Sequence, residues 1–324
     1  MTDPAPPGVA RPPDAPPTGA APGEPGDPAA RGVARDTAAV RRGLARHLVG
    51  HGVELGPGHN PFPLDLPGTT VAYVDRWDPE QNRSLFAELG DDAPFPEPDV
   101  VCNLDVDGLK ALDDASQDFV IASHVLEHVA GPLALLDEIH RVLRPGGSAL
   151  ILLPDMRRTF DRDRPPTGLD HLVRELEAGV TEVDDDHIRE FLRFTEPDYE
   201  HTVAALDPEA RAALFDWHRQ RSIHVHCWAE DGFLPVLDHA LRTLGHRWEF
   251  VDGVLADDEG PDGMEFGFVL RRSPVELAPD VAADRFGAGY DLWAGQRRAI
   301  HALLATAPPA PPAGLLTRLR RRLA

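Results

Sequence analysis

Cysteine is scarce in this sequence, since Cys102 and Cys227 are the only two among 324 residues. Two cysteines in unrelated contexts build neither a disulfide framework nor a cysteine-rich zinc site. Long apolar runs are also missing, because no stretch approaches the roughly 18 residues that a membrane-spanning helix needs. We therefore expect a protein of a reducing compartment, the cytoplasm, without a transmembrane helix.

Positive charge is the third shortage. Lysine and arginine together number 32 against 54 aspartate and glutamate residues, which gives a formal net charge of −22. A nucleic-acid enzyme must neutralise phosphates with a basic face, so this balance predicts that DNA and RNA are not partners. The basic stretch at residues 315–324 is interpreted as a solvated tail, with weak contact to an anionic membrane or partner as the alternative. Stable membrane insertion is not expected.

The two ends of the chain differ in composition from its middle. Ten of the first thirty residues are proline, so residues 1–35 have too little apolar surface to offset the entropy of ordering them. We expect a disordered Pro/Ala-rich leader there, without the pattern of a secretory signal. Residues 36–275 are predicted to form one domain, and residues 276–324 a C-terminal extension that includes the basic tail.

Short apolar runs alternate with helix-length connections through the middle of the chain. Parallel strands need such crossovers, so the alternation predicts a parallel sheet, and two further runs joined by a polar turn predict an antiparallel hairpin. The predicted strands are Val53–Leu55, Thr70–Asp75, Asp99–Leu104, Asp118–Ser123, Ser148–Leu153, Trp248–Ala256 and Met264–Arg271. The predicted helices begin near Asp36 and cover about residues 78–89, 131–143, 229–244 and 293–305.

The regular pattern breaks after the fifth predicted strand. Residues 155–226 are irregular and rich in Asp, Arg, His and Pro, and we interpret them as an insertion on the substrate side of the domain. The fold class that follows is α/β: a Rossmann-like parallel sheet with helices on both faces, an insertion after strand five and a terminal antiparallel hairpin.

The first predicted strand ends in a glycine-rich turn, Glu54-Leu55-Gly56-Pro57-Gly58. Glycine lets a ligand approach the backbone, and Asp75, about twenty residues later, can accept both ribose hydroxyls of an adenosine. Dinucleotide enzymes and methyltransferases share that spacing. A pyrophosphate prefers a third glycine and a full helix, but Asn60 and a proline-broken loop stand there instead. The loop therefore favours an adenosyl cofactor without phosphates.

Two longer segments carry a family resemblance. They are QDFVIASHVLEHV at residues 117–129 and LDEIHRVLRPGG at residues 136–147. Together with the turn at Glu54–Gly58 and with Asp75, they resemble the class I S-adenosylmethionine-dependent methyltransferases, in particular the type 11 branch. The resemblance extends over roughly residues 50–155 and returns in the terminal hairpin. It implies S-adenosylmethionine as the cofactor.

The resemblance also implies roles for single residues. The cofactor-binding residues that it implies are Glu54, Gly56 and Gly58 around the methionine part, Asp75 at the ribose, Asp105 by the adenine amino group and Ser123 beside the methyl-transfer site. His124, the next residue, would border that site as well. Asn60 departs from the family's third glycine, so the resemblance implies no contacts for the loop that follows it.

Methyl transfer is an in-line displacement that chiefly requires alignment of the nucleophile with the methyl group. A hydroxyl acceptor also benefits from a general base near neutral pKa, which makes histidine the first residue type to consider. His124 follows a strand whose carboxyl end faces the cleft, and His171 lies in the insertion. We predict these two as the catalytic candidates.

The insertion also supplies candidates for holding the acceptor. Its segments TFDRDRPPTGLDHL and HVHCW look like a subset of these methyltransferases associated with cell-surface polysaccharide and glycosylation pathways, which implies a sugar or glycan hydroxyl as acceptor. A His-x-His strand would place both rings on one face and could share a metal, but the scattered carboxylates and the lack of a cysteine cluster lead us to predict no metal site. The substrate candidates are Arg162, Arg164, Asp170, His224 and His226.

The preferred function is therefore S-adenosylmethionine-dependent O-methylation of a small molecule or of a sugar or glycan. Transfer to nitrogen or carbon stays open. A catalytically silent S-adenosylmethionine-binding scaffold or sensor is the alternative, and the proline-broken loop disfavours a nicotinamide-dependent oxidoreductase.

Overall fold

The structure is a computed structural model, and it describes residues 37–90, 92–260 and 262–306. The expected leader at residues 1–35 and the expected basic tail at residues 315–324 lie outside these described residues. Among the helices of the described part, none combines the length and the apolar character needed to cross a membrane.

Seven strands form one sheet at the centre of the fold. They are β1 (His51–Leu55), β2 (Thr70–Asp75), β3 (Val100–Val101), β4 (Gln117–Ser123), β5 (Leu143–Pro154), β6 (Trp248–Val254) and β7 (Glu265–Arg272). Their order across the sheet is β3-β2-β1-β4-β5-β7-β6. The first five strands pair in parallel, and β7 lies antiparallel between β5 and β6. The predicted α/β class with a terminal antiparallel pair is confirmed.

Helices pack on both faces of this sheet. They are α1 (Thr37–Ala45), α2 (Pro79–Leu85), α3 (Pro132–Val142), α4 (Leu169–Ala178), α5 (Asp185–Thr195), α6 (Pro208–Arg221), α7 (Glu230–Arg242) and α8 (Pro279–Thr306). Proline stands in the first turn of α2, α3 and α6, where its missing N–H has no helical partner to lose.

Alternation of side chains along the strands divides the core between the two faces. On one face, Val120 and Ala122 of β4 belong to a cluster that includes buried residues of α3, α7 and α8. On the other face, Phe119 and Ile121 pack with Val40 and other residues of α1. The carboxyl ends of the parallel strands remain at one edge of the sheet, where a ligand can reach them.

The connection between β1 and β2 contains no helix among the described residues 56–69. Pro61, Pro63 and Pro67 supply no N–H for a helix to use, which is the reason that the sequence predicted a broken loop here. Phe62 packs on the α1 face of the core and fixes the path of this loop.

The insertion differs from its prediction as an irregular segment. It contains α4, α5 and α6, and Asp184 and Asp207 cap the last two helices by accepting two backbone N–H bonds each. Its buried apolar residues include Ile188, Leu192 and Phe215, which belong to a cluster separate from the two clusters on the sheet faces. Polar residues dominate the exposed faces of these helices and hid the helical spacing from the sequence pattern.

Three further predictions need correction. The third strand is only Val100–Val101, because the chain turns at residues 103–112. Residues 223–228 form no strand, and only an isolated bridge joins Asp155 to Trp228. The helix predicted near residues 293–305 is the second half of the longer α8, whose glycine-containing first half weakened the helical signal.

Candidate active site

The candidate site begins at the glycine turn after β1. Gly56 and Gly58 have φ angles of +53° and +52°, which are left-handed values that glycine adopts without strain. A Cβ on Gly58 would meet nothing within 4 Å, and one on Gly56 would meet only Val125, at 3.5 Å. The turn therefore needs glycine for its backbone conformation, and the space above it is open.

Glu54 is buried at the end of β1 with one carboxylate oxygen unused. Its Oε1 accepts a hydrogen bond from the Phe62 N–H at 2.8 Å, while Oε2 is buried and has no hydrogen-bond partner. Burial raises the pKa of Glu54 to about 7, although the Phe62 hydrogen bond and the charge of Arg41 oppose that rise. An unpaired buried oxygen costs free energy, so a ligand cation beside Oε2 would stabilise the site.

Asp75 ends β2, and Asp105 lies in the loop after β3, the next two strands outward from β1 in the sheet. Asp75 accepts hydrogen bonds from the N–H groups of Arg76, at 2.6 Å, and of Trp77, at 3.4 Å, which hold its carboxylate at the end of the second strand. Burial raises the pKa of Asp75 against these bonds. Asp105 accepts from the Ala130 N–H at 2.7 Å and ties the loop after β3 to the turn before α3.

These residues fit the cofactor that the sequence implies. The amino-acid part of S-adenosylmethionine carries an ammonium group, which suits the unpaired Oε2 of Glu54, and its ribose hydroxyls suit the carboxylate of Asp75. Glu54, Gly56, Gly58 and Asp75 would hold the cofactor. Their contacts, together with those of Asp105 and the half-buried Ser123 at the end of β4, stay predictions.

His124 lies just beyond β4 and is held between two carboxylates. Its φ of +56° is uncommon outside glycine. Its Nε2 lies 3.0 Å from Glu265 Oε2, and its Nδ1 lies 3.3 Å from Glu127 Oε1. Burial lowers the pKa of His124, but the two carboxylates outweigh burial and raise that pKa to about 9. The imidazolium form does not suit the predicted role of a general base, and that role remains without support.

Two further histidines, His128 and His224, lie in contact on the insertion side of the site. Asp161 Oδ2 lies 2.6 Å from His224 Nδ1, and the His224 ring meets the His128 ring edge-on with centroids 4.8 Å apart. His128 Nδ1 donates to the Ile223 carbonyl at 2.8 Å, and burial lowers the pKa of His128 to about 4. Neither oxygen of the fully buried Glu127, which adjoins His128, has a hydrogen-bond partner. Buried polar groups thus concentrate at this position.

A cleft connects the two sides of the site. Arg76 and Asp105 line it from the sheet, and Ser222 and Ile223 line it from the insertion, with His128 between them. The cleft therefore joins the residues that follow β2 and β3 to the segment that carries His224. This brings together parts of the chain that are more than a hundred residues apart in sequence.

His224 and His226 do not share a site, contrary to the expectation of a His-x-His strand. The Val225 and His226 N–H groups both donate to the Glu127 carbonyl, which bends the segment so that the two rings diverge. His226 turns to His171 and His187, with ring centroids 5.6 and 5.4 Å away. His171, a catalytic candidate, therefore belongs to a different group from His224.

The arginine and aspartate candidates of the insertion also separate. Arg162 is 72% exposed and Asp170 is exposed in the first turn of α4, so both side chains are accessible. The Arg164 guanidinium is completely buried, and it donates to Asp161 and to the carbonyls of His224 and Val225. Direct substrate binding by Arg164 loses its basis, because this side chain holds the insertion together.

Several residues of the site were missed by the sequence analysis. Glu175 and His187 lie in the irregular stretch and carry no motif, and Asp161 lies within the segment TFDRDRPPTGLDHL without being named as a candidate. Arg41 donates to both oxygens of Glu265 at 3.1 and 2.6 Å, across 224 residues. The concentration of acidic residues and histidine pointed toward pairs within the insertion without assigning partners, and no sequence signal pointed toward the Arg41–Glu265 pair.

Residues 53–151 match the model of a protein family described as a methyltransferase domain of type 11. This match confirms the predicted type 11 resemblance and, with it, the prediction of S-adenosylmethionine as cofactor. Among curated proteins, none matches the chain.

Three solved structures are similar to this chain at low sequence identity. An S-adenosylmethionine-dependent methyltransferase from Methanosarcina mazei is 17% identical, with 71% of this chain and 96% of that chain covered and a TM-score of 0.36. The 1,6-didemethyltoxoflavin-N1-methyltransferase of Burkholderia thailandensis, solved with S-adenosylhomocysteine, is 16% identical (73% and 80% covered, TM-score 0.37). A putative zinc-dependent alcohol dehydrogenase from Rhodobacter sphaeroides is 12% identical (74% and 92% covered, TM-score 0.44). At these scores the likenesses carry no functional argument.

Proposed function

Because residues 53–151 form a methyltransferase domain that uses S-adenosylmethionine, we propose that the chain methylates a hydroxyl group of a small molecule, sugar or glycan. The acceptor would enter the cleft between the sheet edge and residues 155–226, which we take as the substrate-side insertion. The net charge of −22 disfavours polyanionic acceptors such as nucleic acids.

The Asp161–His224 pair is the observation that carries this proposal. A carboxylate 2.6 Å from Nδ1 favours the tautomer with its proton on Nδ1, in which the lone pair is on Nε2. The side chain of His224 is 13% exposed, so the ring is largely shielded from water. Its neighbour His128 lines the cleft that Asp105 shares. His224 does not itself line this cleft, but its ring contacts that of His128, which does.

Different residues of the site would have different roles in such a transfer. When bound, S-adenosylmethionine supplies a methyl group on a sulfonium, which needs no acid to leave. Glu54, Asp75 and the glycine turn would bind the cofactor, and His224 would take the proton of the acceptor hydroxyl at Nε2. Asp161 is a positioning residue that orients His224. The exposed Arg162 is available for polar groups of a sugar.

His224 suits this role better than the other histidines of the site. The two carboxylates beside His124 keep it protonated at neutral pH, and the pKa of about 4 makes His128 a weak base. The pKa values of His124 and His128 thus both lie away from neutral pH, whereas a general base works best when its pKa lies near the working pH. His171 Nε2 lies 3.0 Å from His187 Nε2 and 3.1 Å from Glu175 Oε1, away from the cleft.

The test is an assay of S-adenosylhomocysteine release with a panel of phenols, sugars and oligosaccharides. With a productive acceptor, His224→Gln should reduce kcat by roughly 10²–10⁴-fold and leave the affinity for S-adenosylhomocysteine unchanged. Asp161→Asn should reduce kcat less and shift the acidic limb of the pH–rate profile, which a merely structural role would not do. Asp163→Asn, a change of an exposed neighbour, is the matched control.

Two results would count against the proposal. Full activity of His224→Gln would show that His224 is not the general base. Methylation of nitrogen or carbon acceptors alone would show that the acceptor is not a hydroxyl group. Tight binding of S-adenosylhomocysteine without turnover of any acceptor would favour the silent scaffold instead.

A further inference from the structure

Four side chains of the insertion converge away from the cleft. His171 and Glu175 lie one turn apart on α4, His187 lies on α5, and His226 precedes α7. We name these four residues the histidine cluster. One atom from each of the three histidines lies within 4.8 Å of the others, which is close enough for a shared ion.

Three distances within the histidine cluster are close to the edge of a coordination tetrahedron. Nε2 of His171 lies 3.0 Å from Nε2 of His187, and Oε1 of Glu175 lies 3.1 and 3.2 Å from these two atoms. Oε2 of Glu175 lies 3.5 Å from Nε2 of His226. A tetrahedral zinc ion with ligands at about 2.0–2.1 Å has edges of about 3.4 Å.

Glu175 and His226 are buried and poorly satisfied by their neighbours, whereas the side chains of His171 and His187 are 39% and 14% exposed. Neither oxygen of Glu175 and neither ring nitrogen of His226 has a hydrogen-bond partner, and the His226 side chain is 1% exposed. The ion-pair contacts to Glu175 are close in distance but are not aligned as hydrogen bonds. Orphaned buried polar atoms of this kind carry a free-energy cost that a central cation would remove.

The surroundings orient one ligand as metal sites usually do. Nδ1 of His187 lies 2.9 Å from Oδ1 of Asp184, the residue that caps α5. A carboxylate on the far nitrogen fixes the tautomer, so Nε2 presents its lone pair to the cluster. The helix cap and the ring orientation thus depend on the same carboxylate.

We propose that the histidine cluster binds one divalent zinc ion through His171, Glu175, His187 and His226. Three imidazoles and a carboxylate suit zinc and similar transition metals and do not suit calcium or magnesium, which take oxygen ligands. Four protein ligands leave no open position, so the ion is structural: it joins α4, α5 and the segment before α7. This site replaces our expectation of no metal, and it gives His171 a ligand's role in place of a catalytic one.

Metal content of the wild-type protein is the primary test. Full-length protein without a polyhistidine tag is purified from zinc-supplemented medium and analysed by plasma mass spectrometry, and about one zinc per chain is expected. Cobalt substitution should give the intense visible absorption of a tetrahedral site. Clearly substoichiometric metal, both as purified and after equilibrium dialysis against excess zinc chloride, would overturn the proposal.

Variants connect the metal to these residues. Glu175→Gln and His226→Gln should lose the metal, whereas His201→Gln, which changes an 82% exposed histidine elsewhere in the insertion, should keep it. A chelator should lower the melting temperature of the wild type and of His201→Gln but not that of Glu175→Gln. Retention of a full equivalent of metal by both cluster variants would refute the assignment. None of these readouts depends on methyl transfer.

Discussion

Glu54 is the residue at which protonation and cofactor binding compete. Burial raises its pKa to about 7, so the carboxyl group is largely neutral below that pH. A ligand ammonium beside Oε2 favours the ionised form, and binding must therefore release a proton at low pH. We predict that the affinity for S-adenosylhomocysteine rises roughly tenfold per pH unit up to about pH 7 and then levels off. Calorimetry between about pH 5.5 and 8.5 measures this dependence.

Two variants isolate the effect of Glu54. Glu54→Gln keeps an oxygen for the Phe62 N–H but cannot ionise, so its affinity should be weak and should not follow the same pH dependence. Glu259 is the matched control, because burial and the nearby Glu265 raise its pKa to about 7 as well. Glu259→Gln should retain the wild-type slope. If the slope disappears in Glu259→Gln and persists in Glu54→Gln, the cofactor does not contact Glu54.

The cofactor residues could be named from the sequence because each lies in a local motif. A glycine turn after a strand and an acidic residue at the end of the next strand keep their spacing whatever the rest of the chain does. The Asp161–His224 pair spans 63 residues and the Arg41–Glu265 pair spans 224. No local pattern encodes those partners, since they depend on how the insertion and α1 pack on the sheet.

Strands and helices that bury many apolar residues were predictable from the sequence, whereas helices that bury only a few were not. The strands of the core are buried on both faces and appear as apolar runs, so β1, β4 and the β6–β7 pair were close to their predicted positions. The helices of the insertion bury few residues each; α4, for example, buries Leu172 and Glu175. A glutamate is interpreted as an exposed position in a hydrophobicity pattern, so the buried Glu175 hid the helical spacing and this helix was missed.

The two helix caps of the insertion allow a matched prediction. Asp184 and Asp207 each accept two N–H bonds at the start of a helix, so replacement of either by Ala should cost about 1 kcal/mol of unfolding free energy. Only Asp184 also lies against a ring nitrogen, Nδ1 of His187. We predict that Asp184→Ala additionally weakens zinc affinity by roughly 10–100-fold, whereas Asp207→Ala does not.

Competition with a fluorescent zinc chelator measures the affinity, and urea unfolding measures the stability. Equal zinc affinities in the two variants would show that the Asp184 contact is only a cap. A loss of affinity in Asp207→Ala as well would mean that helix fraying in the insertion, rather than orientation of His187, controls the site.

The arrangement of the whole molecule follows from the direction of its strands. Five parallel strands present their carboxyl ends at one edge, and the chain leaves β5 at that edge to form the insertion. The insertion has its own apolar cluster, and hydrogen bonds such as those from the Val225 and His226 N–H groups to the Glu127 carbonyl hold it over the edge. Cofactor binding at the turn after β1 should therefore stabilise the sheet as a whole.

Thermal unfolding tests this coupling and the cofactor together. A ligand that binds only the folded state adds about 2.7 kcal/mol at a concentration a hundred times its Kd, so S-adenosylhomocysteine should raise the melting temperature by several degrees. NAD should not, because Asn60 and the prolines after it leave no helix N-terminus for a pyrophosphate. Asp75→Ala should reduce the shift by removing roughly 1–3 kcal/mol of binding free energy, while Asp65→Ala, an exposed change in the loop that follows the glycine turn, should leave it intact. Stabilisation by NAD, or an undiminished shift in Asp75→Ala, would contradict the assignment of the second strand to the ribose.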